Sequence, residues 1–557
     1  MMAGPSGVST ALGGLTSVAR HTVVQCLRMK VVGATIVILG LLLGAMPFAI
    51  SGDGTLAGRS KTFLSYSMAM LSVVLSVLTV FLSIWVVSED IRTRQIYGVI
   101  AKPLARWQYI LGRWLGVCIL SAGLLAVAAA GVFALAQYLR SGAISPEANP
   151  QDRVAVETQV FTARTRVGPA SENVQEKIAD RIAEMQRTGQ YADALEAFKA
   201  RTGGDEAEAQ ELLIAEVREN ITGKLFAIKP RESKTWRFEG IDHRGRSVTG
   251  AGRVIRVDNE SSRLWIQAPP AVQGRLVYGG PVRLNDVEGT VITIRDDVVE
   301  VSMMLEDMLK PAIQRLAADG SVSVTAEPTI QLTYKAELSQ RTSDRQITSL
   351  WRFEATGTAA QLLVPRHDLN RSPATMTIPA WVVSDDGRTT VTFLSQPHRR
   401  TGEWYTVRIL PEDVAILFRV GSFGWNFLRG AVLLMAQLAY LAAVGVLAGS
   451  FLVFPVGCML VFSLLPFSVA GTFLRDAVNP EFLPGPLIVS YYIVHVMGAL
   501  LPDFESTAPG PWFVDGMAIP WRFVGKTVLW TVLIRTSLAL AVGCMIFRRR
   551  ELARVQT

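Results

Sequence analysis

The chain is 557 residues long, half hydrophobic and only 18% charged, with a formal net charge of +8. That apolar load excludes a disordered chain. The basic balance comes with no nucleic-acid motif and no basic helix with interleaved aromatics, so no nucleic-acid partner is expected. The charges are also segregated, most of them falling between about residues 140 and 425, with long uncharged runs on either side.

Residues 1–30 begin the chain with Leu12, Leu15, Val18, Val23, Val24 and Leu27 interleaved with basic residues. This pattern predicts a cytoplasmic amphipathic segment lying along a membrane. A bilayer core of about 30 Å needs about 20 apolar residues. Val31 to Gly52, Thr62 to Ser88 and Trp114 to Leu139 meet that requirement and predict three spans over 31–139, with a charged loop at 89–113 between the second and third. A cleaved leader over the first run would put the basic 92–113 segment outside, so a retained span is expected.

The polar middle divides at about residue 230. Over 171–222, Val174, Ile178, Ile182 and Met185, then Leu195, Phe198, Leu212, Leu213 and Val217 recur at helical spacing, so 140–229 is expected to be helical. The stretch Gly189 to Leu195 looks like one tetratricopeptide unit, but a single unit cannot bury its own face, and a plain helical hairpin is expected. From 230 to 425 the period changes to two, as in Arg263–Gln267, Thr290–Ile294, Ile330–Tyr334 and Thr389–Phe393. That pattern predicts a β-sandwich or two small barrels. Asp385-Asp386-Gly387 marks a hairpin turn. Trp236-Arg237-Phe238-Glu239 returns as Trp351-Arg352-Phe353-Glu354, a candidate duplication, and 282–291 looks like strands of a small SH3-like barrel.

This middle carries little chemistry. His243, His367 and His398 form no metal-binding pair, no nucleophile elbow is present, and Asp296-Asp297 and Asp385-Asp386 sit in turn sequences where solvated carboxylates are expected. Trp236, Trp351, Trp404 and Tyr405 are expected in a core rather than on a ligand. All four cysteines, Cys26, Cys118, Cys458 and Cys544, lie in or beside the apolar ends. The middle therefore has neither a disulfide framework nor a cysteine-ligated zinc site.

From 426 to 547 the chain is apolar again. Gly430 to Leu474 is uncharged and suits two spans broken near Gly449-Ser450 and Pro455, and Thr527 to Phe547 is the last span. Residues 482–502, whose start is broken by Pro484 and Pro486, predict a re-entrant element. Arg20, Arg28 and Lys30, the bases of 89–113, and the 548–557 tail then fall on one side, so both termini are expected in the cytoplasm and the middle outside it. The expected fold is a polytopic α-helical membrane protein of six spans plus a re-entrant element, with an inserted α+β, β-rich extracytoplasmic domain.

The 89–113 loop is the most informative segment. An acidic pair, Glu89-Asp90, opens it; Gly98 stops a short helix; Lys102-Pro103-Leu104-Ala105-Arg106 fixes a turn; and Gly112-Arg113 leads into the third span. The order of Glu89, Gly98, Pro103, Arg106, Gly112 and Arg113 resembles the coupling-helix loop in permease subunits of ABC exporters of the type-2 membrane class. Asn426, the run ending Gly449 to Pro455, and Phe547 to Leu552 resemble the same family, over about residues 15–140 and 425–557. The large middle insert departs from its many short-looped members. The resemblance implies an ABC permease in a bacterial inner membrane, with ATPase-coupling residues Glu89, Asp90, Gly98, Lys102, Pro103, Arg106, Gly112 and Arg113. It implies a separate cytoplasmic ABC ATPase holding the ATP and magnesium, and a second permease half of the same or a different chain. Membrane lipid and a partner for the exported domain complete the expected contacts. Gly525-Lys526-Thr527 is the nearest match to a phosphate-binding loop, but position 520 is Pro, so no cofactor and no enzymatic activity are expected of this chain itself.

Two ionisable residues stand inside apolar segments. Arg535 in the last span is costly at mid-membrane and marks either a translocation path or a side chain reaching the outer interface. His495 in the re-entrant element is a second path candidate. The competing reading is a membrane-anchored extracytoplasmic binding or structural protein without transport activity.

Overall fold

The computed structural model describes residues 5–549 apart from 51–53, 94–104, 142–154, 171–173, 202–208, 211, 219–225, 243–247, 259–262, 270–271, 273–275, 277–280, 286, 296–297, 304–320, 327, 340–345, 356–360, 399–401, 472 and 474–487. Two compact units result, one from residues 1–163 with 421–557 and one from 164–420.

The helices are α1 (Pro5–Leu27), α2 (Lys30–Ala49), α3 (Leu56–Arg92), α4 (Arg106–Arg140), α5 (Val174–Arg187), α6 (Gln190–Arg201), α7 (Phe423–Phe451), α8 (Phe454–Val469), α9 (Ile488–Leu500), α10 (Gly510–Val514) and α11 (Trp521–Arg549). Among the described residues α2, α3, α4, α7 and α11 are long and apolar enough to cross a membrane. The sixth expected span, the second half of Gly430–Leu474, is the 16-residue α8, short of the usual requirement of about 20. It follows a break at Leu452-Val453, with Pro455 in its first turn, where a missing N–H costs nothing. Of the expected re-entrant element, the structure describes α9 and the residues after it. The middle of α11, Leu529–Thr536, is π-helical.

Small residues set two of the helix contacts in this unit. A Cβ on Gly112 would stand 2.7 Å from Val18, and one on Gly116 2.5 Å from Thr22, so α1 lies tight on α4. A Cβ on Gly445 would meet Ser83 at 1.8 Å, and one on Gly449 the Ile84 carbonyl at 2.9 Å, so α7 lies tight on α3. Both are small-xxx-small stripes, the spacing that brings helix backbones together in membranes. The burial of Val18, Ala19, Thr22 and Cys26 makes α1 a packed element of the bundle rather than only a surface segment.

The helix ends meet in two groups. At one end Tyr109 near the start of α4 stacks on Phe547 at the end of α11, with centroids 5.4 Å apart. There Ser88 near the end of α3 donates to the Leu452 carbonyl after α7 at 3.4 Å, and Phe81 meets Phe454 at the start of α8. At the other end the Phe504 N–H donates to the Ser468 carbonyl at the end of α8, 2.8 Å away, and Gly510 lies beside Ser65 on α3. Asn426 at the start of α7 holds the segment before α11: its Nδ2 donates to the Met517 carbonyl at 2.7 Å and its Oδ1 accepts from the Ile519 N–H at 2.8 Å. Arg429 donates to the Ile519 carbonyl at 2.9 Å and covers the Trp521 ring.

The second unit is enclosed between β1 (Thr162–Val167) and β17 (Ala415–Ser422), neighbouring strands of a sheet completed by β10 (Thr329–Lys335) and β14 (Pro373–Pro379). A second four-stranded sheet has the order β13 (Gln361–Leu369), β12 (Gln346–Ala355), β15 (Thr389–Ser395), β3 (Ser233–Phe238). A small sheet of β11 (Glu337–Leu338), β16 (Val407–Arg408) and β2 (Ala227–Ile228) lies among them. One core joins these sheets, with Trp351, Phe238, Phe353, Phe393 and Leu332 fully buried. Between β3 and β10 the chain closes a six-stranded barrel from β4 (Val248–Asp258), β5 (Arg263–Gln267), β6 (Pro281–Leu284), β7 (Val287–Arg295), β8 (Val298–Met303) and β9 (Ser321–Ala326), ordered β4-β5-β8-β7-β6-β9. Bulges at Val254/Arg256 and Val291/Thr293 supply the curvature that closure needs. Packed sheets and a barrel therefore coexist where the periodicity left a sandwich or two barrels open.

The helical hairpin is α5 and α6, joined through Gly189 at φ 76°. Gly387, at φ 73°, ends the turn 384–387, closed by its own N–H on the Ser384 carbonyl at 2.8 Å, as the Asp-Asp-Gly sequence predicts. The recurring Trp-Arg-Phe-Glu quartet belongs to the two strands that flank β15. Val391 pairs with both Trp236 and Phe353, and the Trp236 and Trp351 rings stack at 6.1 Å. The two quartets thus lie on either side of β15 in one sheet, offset from each other by two residues.

Candidate functional site

The expected coupling residues cluster at the joined ends of α3 and α4, the two helices that bracket 94–104. Gly98, Lys102 and Pro103 lie outside the described residues. Asp90, in the last turn of α3, is buried and accepts a hydrogen bond from Tyr109 Oη at 2.6 Å and an ion pair from Arg113 Nη2. Arg113 Nη1 also donates to Gln25 Oε1 at 2.7 Å and to Thr22 Oγ1 at 3.1 Å, both on α1. The Thr22 hydroxyl hydrogen goes to the Val18 carbonyl, 2.9 Å away, which leaves its oxygen lone pairs to accept. Gly112, one residue before Arg113, lets α1 come close enough for these contacts.

A second set of contacts brings in α11. Arg106 Nη1 donates to the Arg548 carbonyl at 2.6 Å, which answers the partial negative charge of that helix end. The Arg113 guanidinium lies 5.3 Å from the Tyr109 ring centroid, and that ring covers Phe547. Trp114 Nε1 donates to the Ala439 carbonyl on α7 at 2.9 Å. Five helices are thus tied through a few side chains where the end of α3 meets the start of α4.

The acidic pair divides. Successive helix residues point about 100° apart, a consequence of 3.6 residues per turn, so Glu89 faces outward while Asp90 faces the bundle. Glu89 makes a bidentate pair with Arg92 at 2.9 and 2.8 Å. Arg535, in the π-helical stretch of α11, donates to the Gly498 carbonyl on α9 at 2.9 Å. His495 is exposed, one turn from Tyr491, whose ring it meets at 4.1 Å. The two path candidates are thus both associated with α9, His495 as one of its residues and Arg535 through the Gly498 carbonyl.

Tyr109, Thr22 and Gln25 were not legible as members of this group. The spacing Tyr109–Arg113 places both on one face of α4, which is the signal that would have found the first; nothing local marks the other two.

In the β-rich unit the Tyr334 hydroxyl donates to Asp368, which also pairs with Arg366 at 2.7 Å. Burial, then the adjacent Asp368 carboxylate, pushes the Tyr334 phenol above its ordinary value. Glu337 accepts from Arg408 at 2.8 Å and lies 3.4 Å from Lys335, and the Arg408 hydrogen bond holds its carboxyl below the usual range. Trp236 and Trp351 are core residues, His367 is exposed, and His398 is buried against Tyr405. His243 and Asp296-Asp297 lie outside the described residues.

Comparison of the chain with models of protein families, with curated proteins and with solved structures gives no match. What the site does is therefore argued from its own geometry. A sealed ion pair, an aromatic stack and two cation-to-carbonyl or amide contacts join α1, α3, α4 and α11 at this end of the bundle.

Proposed function

We propose that this chain is the membrane permease subunit of an ATP-driven ABC exporter. A separate cytoplasmic ATPase, carrying ATP and magnesium, grips the 89–113 loop, and a second permease half, identical or different, completes the path. Closure of the ATPase drives alternating access, moving substrate across or out of a bacterial inner membrane. The observation that carries this reading is the buried Asp90–Arg113 pair at the base of the loop. A lever needs a stiff root, and this one is fixed to α1 through Gln25 and Thr22 and flanked by the Arg106–Arg548 contact.

Six crossings with both termini cytoplasmic fit the two groups of helix ends. The ends of α3, α7 and α11 lie with the starts of α4 and α8, and the end of α8 lies with the starts of α3, α7 and α11. On this reading α8 is a short crossing of about 24 Å, at 1.5 Å per residue, and α9 is the returning limb of the re-entrant element. Basic residues at 20–30, 92–113 and 548–554 agree with this orientation. The β-rich unit then lies outside the cytoplasm, where it receives cargo or docks a partner.

That unit's self-contained fold favours one competing reading, in which the helices only anchor a binding module. Replacing 94–104 with a neutral linker separates the two: an anchor keeps its function and an exporter loses it. Cysteine labelling provides the direct topological test. Residues introduced at Ile96 and Ile100 are expected to react only from the cytoplasmic side, and at Asp386 only from the opposite side; reaction of both from one side contradicts the proposal.

A further inference from the structure

A groove of about 770 Å³ opens along α3, walled by α7, α8 and the segment 504–511. Its α3 wall runs from Ser65 to Val77, about 18 Å at 1.5 Å per residue. That is more than half of a hydrocarbon core of about 30 Å. The volume lies in the range of about 300–1,000 Å³ typical of ligand sites. The rim is apolar and exposed at Val73, Val77, Val469 and Phe473, as expected of a groove opening sideways into lipid.

Two features make the groove more than a gap between helices. Gln437 stands part-way along it, accepting from Ser72 Oγ and donating to Ser76 Oγ, both at 3.2 Å. An amide has two donors and a two-lone-pair acceptor, so Gln437 retains a donor and a lone pair for a group in the groove. At the mouth, among the described residues that line the groove, Glu505 is the one charged side chain, and it is exposed. An occupant complementary to this surface has a long apolar tail and an amine-bearing head.

We propose that the groove holds one bilayer lipid, its acyl chain along α3 and its amine-bearing head group at Glu505. The site depends on the chain being embedded in a bilayer but not on the exporter reading: loss of the lipid leaves the Asp90–Arg113 contacts untouched, and failure of ATPase coupling leaves the groove intact.

The test uses the full chain in nanodiscs containing phosphatidylethanolamine and phosphatidylglycerol analogues with a photoreactive group in the acyl chain, offered in turn at equal mole fraction. The ethanolamine lipid is expected to label peptides of α3 and α8 several-fold more than the glycerol lipid. Ala69→Trp and Ala470→Trp, which fill the groove from opposite walls, are each expected to abolish that labelling while labelling of the lipid-facing α2 persists. Glu505→Gln, at an exposed position, is expected to equalise the two lipids with the fold retained. Equal labelling by both lipids in the unaltered protein, or groove labelling that survives both tryptophans, overturns the proposal.

Discussion

Asp90 and Arg113, 23 residues apart in sequence, form an ion pair in which the two side chains are only 2% and 4% exposed. Among the described residues the Asp90 Oδ1 and the Arg113 Nε have no hydrogen-bond partner, so the pair is sealed but not saturated. Removing one member of such a pair leaves a buried charge and typically costs about 3–5 kcal/mol, whereas replacing both with apolar residues is often neutral. Asp90→Ala is therefore expected to lower stability in detergent by about that amount. The double change Asp90→Leu/Arg113→Met is expected to regain most of it. Denaturant titrations of the unaltered protein, Asp90→Leu, Arg113→Met and the double variant measure the coupling directly.

The α1–α4 contact depends on the absence of a side chain at Gly116. Overpacking a tight contact costs about 1–3 kcal/mol, and here α1 has to move, taking Thr22 and Gln25 away from Arg113. Gly116→Leu is expected to fall in that range and to expose Cys26, which is fully buried. The rate at which Cys26 reacts with a maleimide reports the displacement. Cys118, on α4 itself, provides the comparison.

At the opposite end Asn426 satisfies a carbonyl and an N–H of the 517–519 segment. Loss of both partners leaves two backbone groups unpaired, each costing about 1–3 kcal/mol if it stays buried. Asn426→Ala is expected to make the chain cleavable between 515 and 520 by an added protease, where the unaltered protein resists.

The β-rich unit carries a pH-dependent contact. Glu337 is held below its ordinary value by the Arg408 hydrogen bond that clips β11 to β16. A carboxyl depressed in the folded state stabilises fully above its unfolded value of about 4.3. That contribution is lost as pH falls through the lower folded value. Glu337→Gln is expected to remove at most about 1 kcal/mol at neutral pH and to flatten the stability profile below about pH 4.3. Tryptophan fluorescence of the buried Trp236 and Trp351 follows this transition.

Much of the architecture was visible in the residues because burial in lipid or in a sheet writes a simple pattern. Uncharged runs located α2, α3, α4 and the α7–α8 break, and alternation located the strands of 263–267, 290–294 and 330–334. Arrangement was less visible. The barrel and the packed sheets share the same alternation, and only non-local pairing, such as β4 with β9, separates them. At the site, neighbouring Glu89 and Asp90 look alike in sequence, and helical rotation gives them opposite environments. Gln25 and Thr22 come from a segment whose pattern suited a membrane surface; their role depends on Gly112 and Gly116 opening α4 to α1, a relation between distant positions.

The central claim is that force reaches the bundle through the loop rooted at Asp90 and Arg113. The most direct measurement places a photo-crosslinking residue at Ile100 in cells and assays the purified adduct for ATP hydrolysis. The account predicts an adduct with a cytoplasmic ATPase whose turnover is stimulated by the permease, and loss of both adduct and stimulation in Arg106→Glu. An adduct-free loop, or ATPase turnover indifferent to Arg106→Glu, would contradict it.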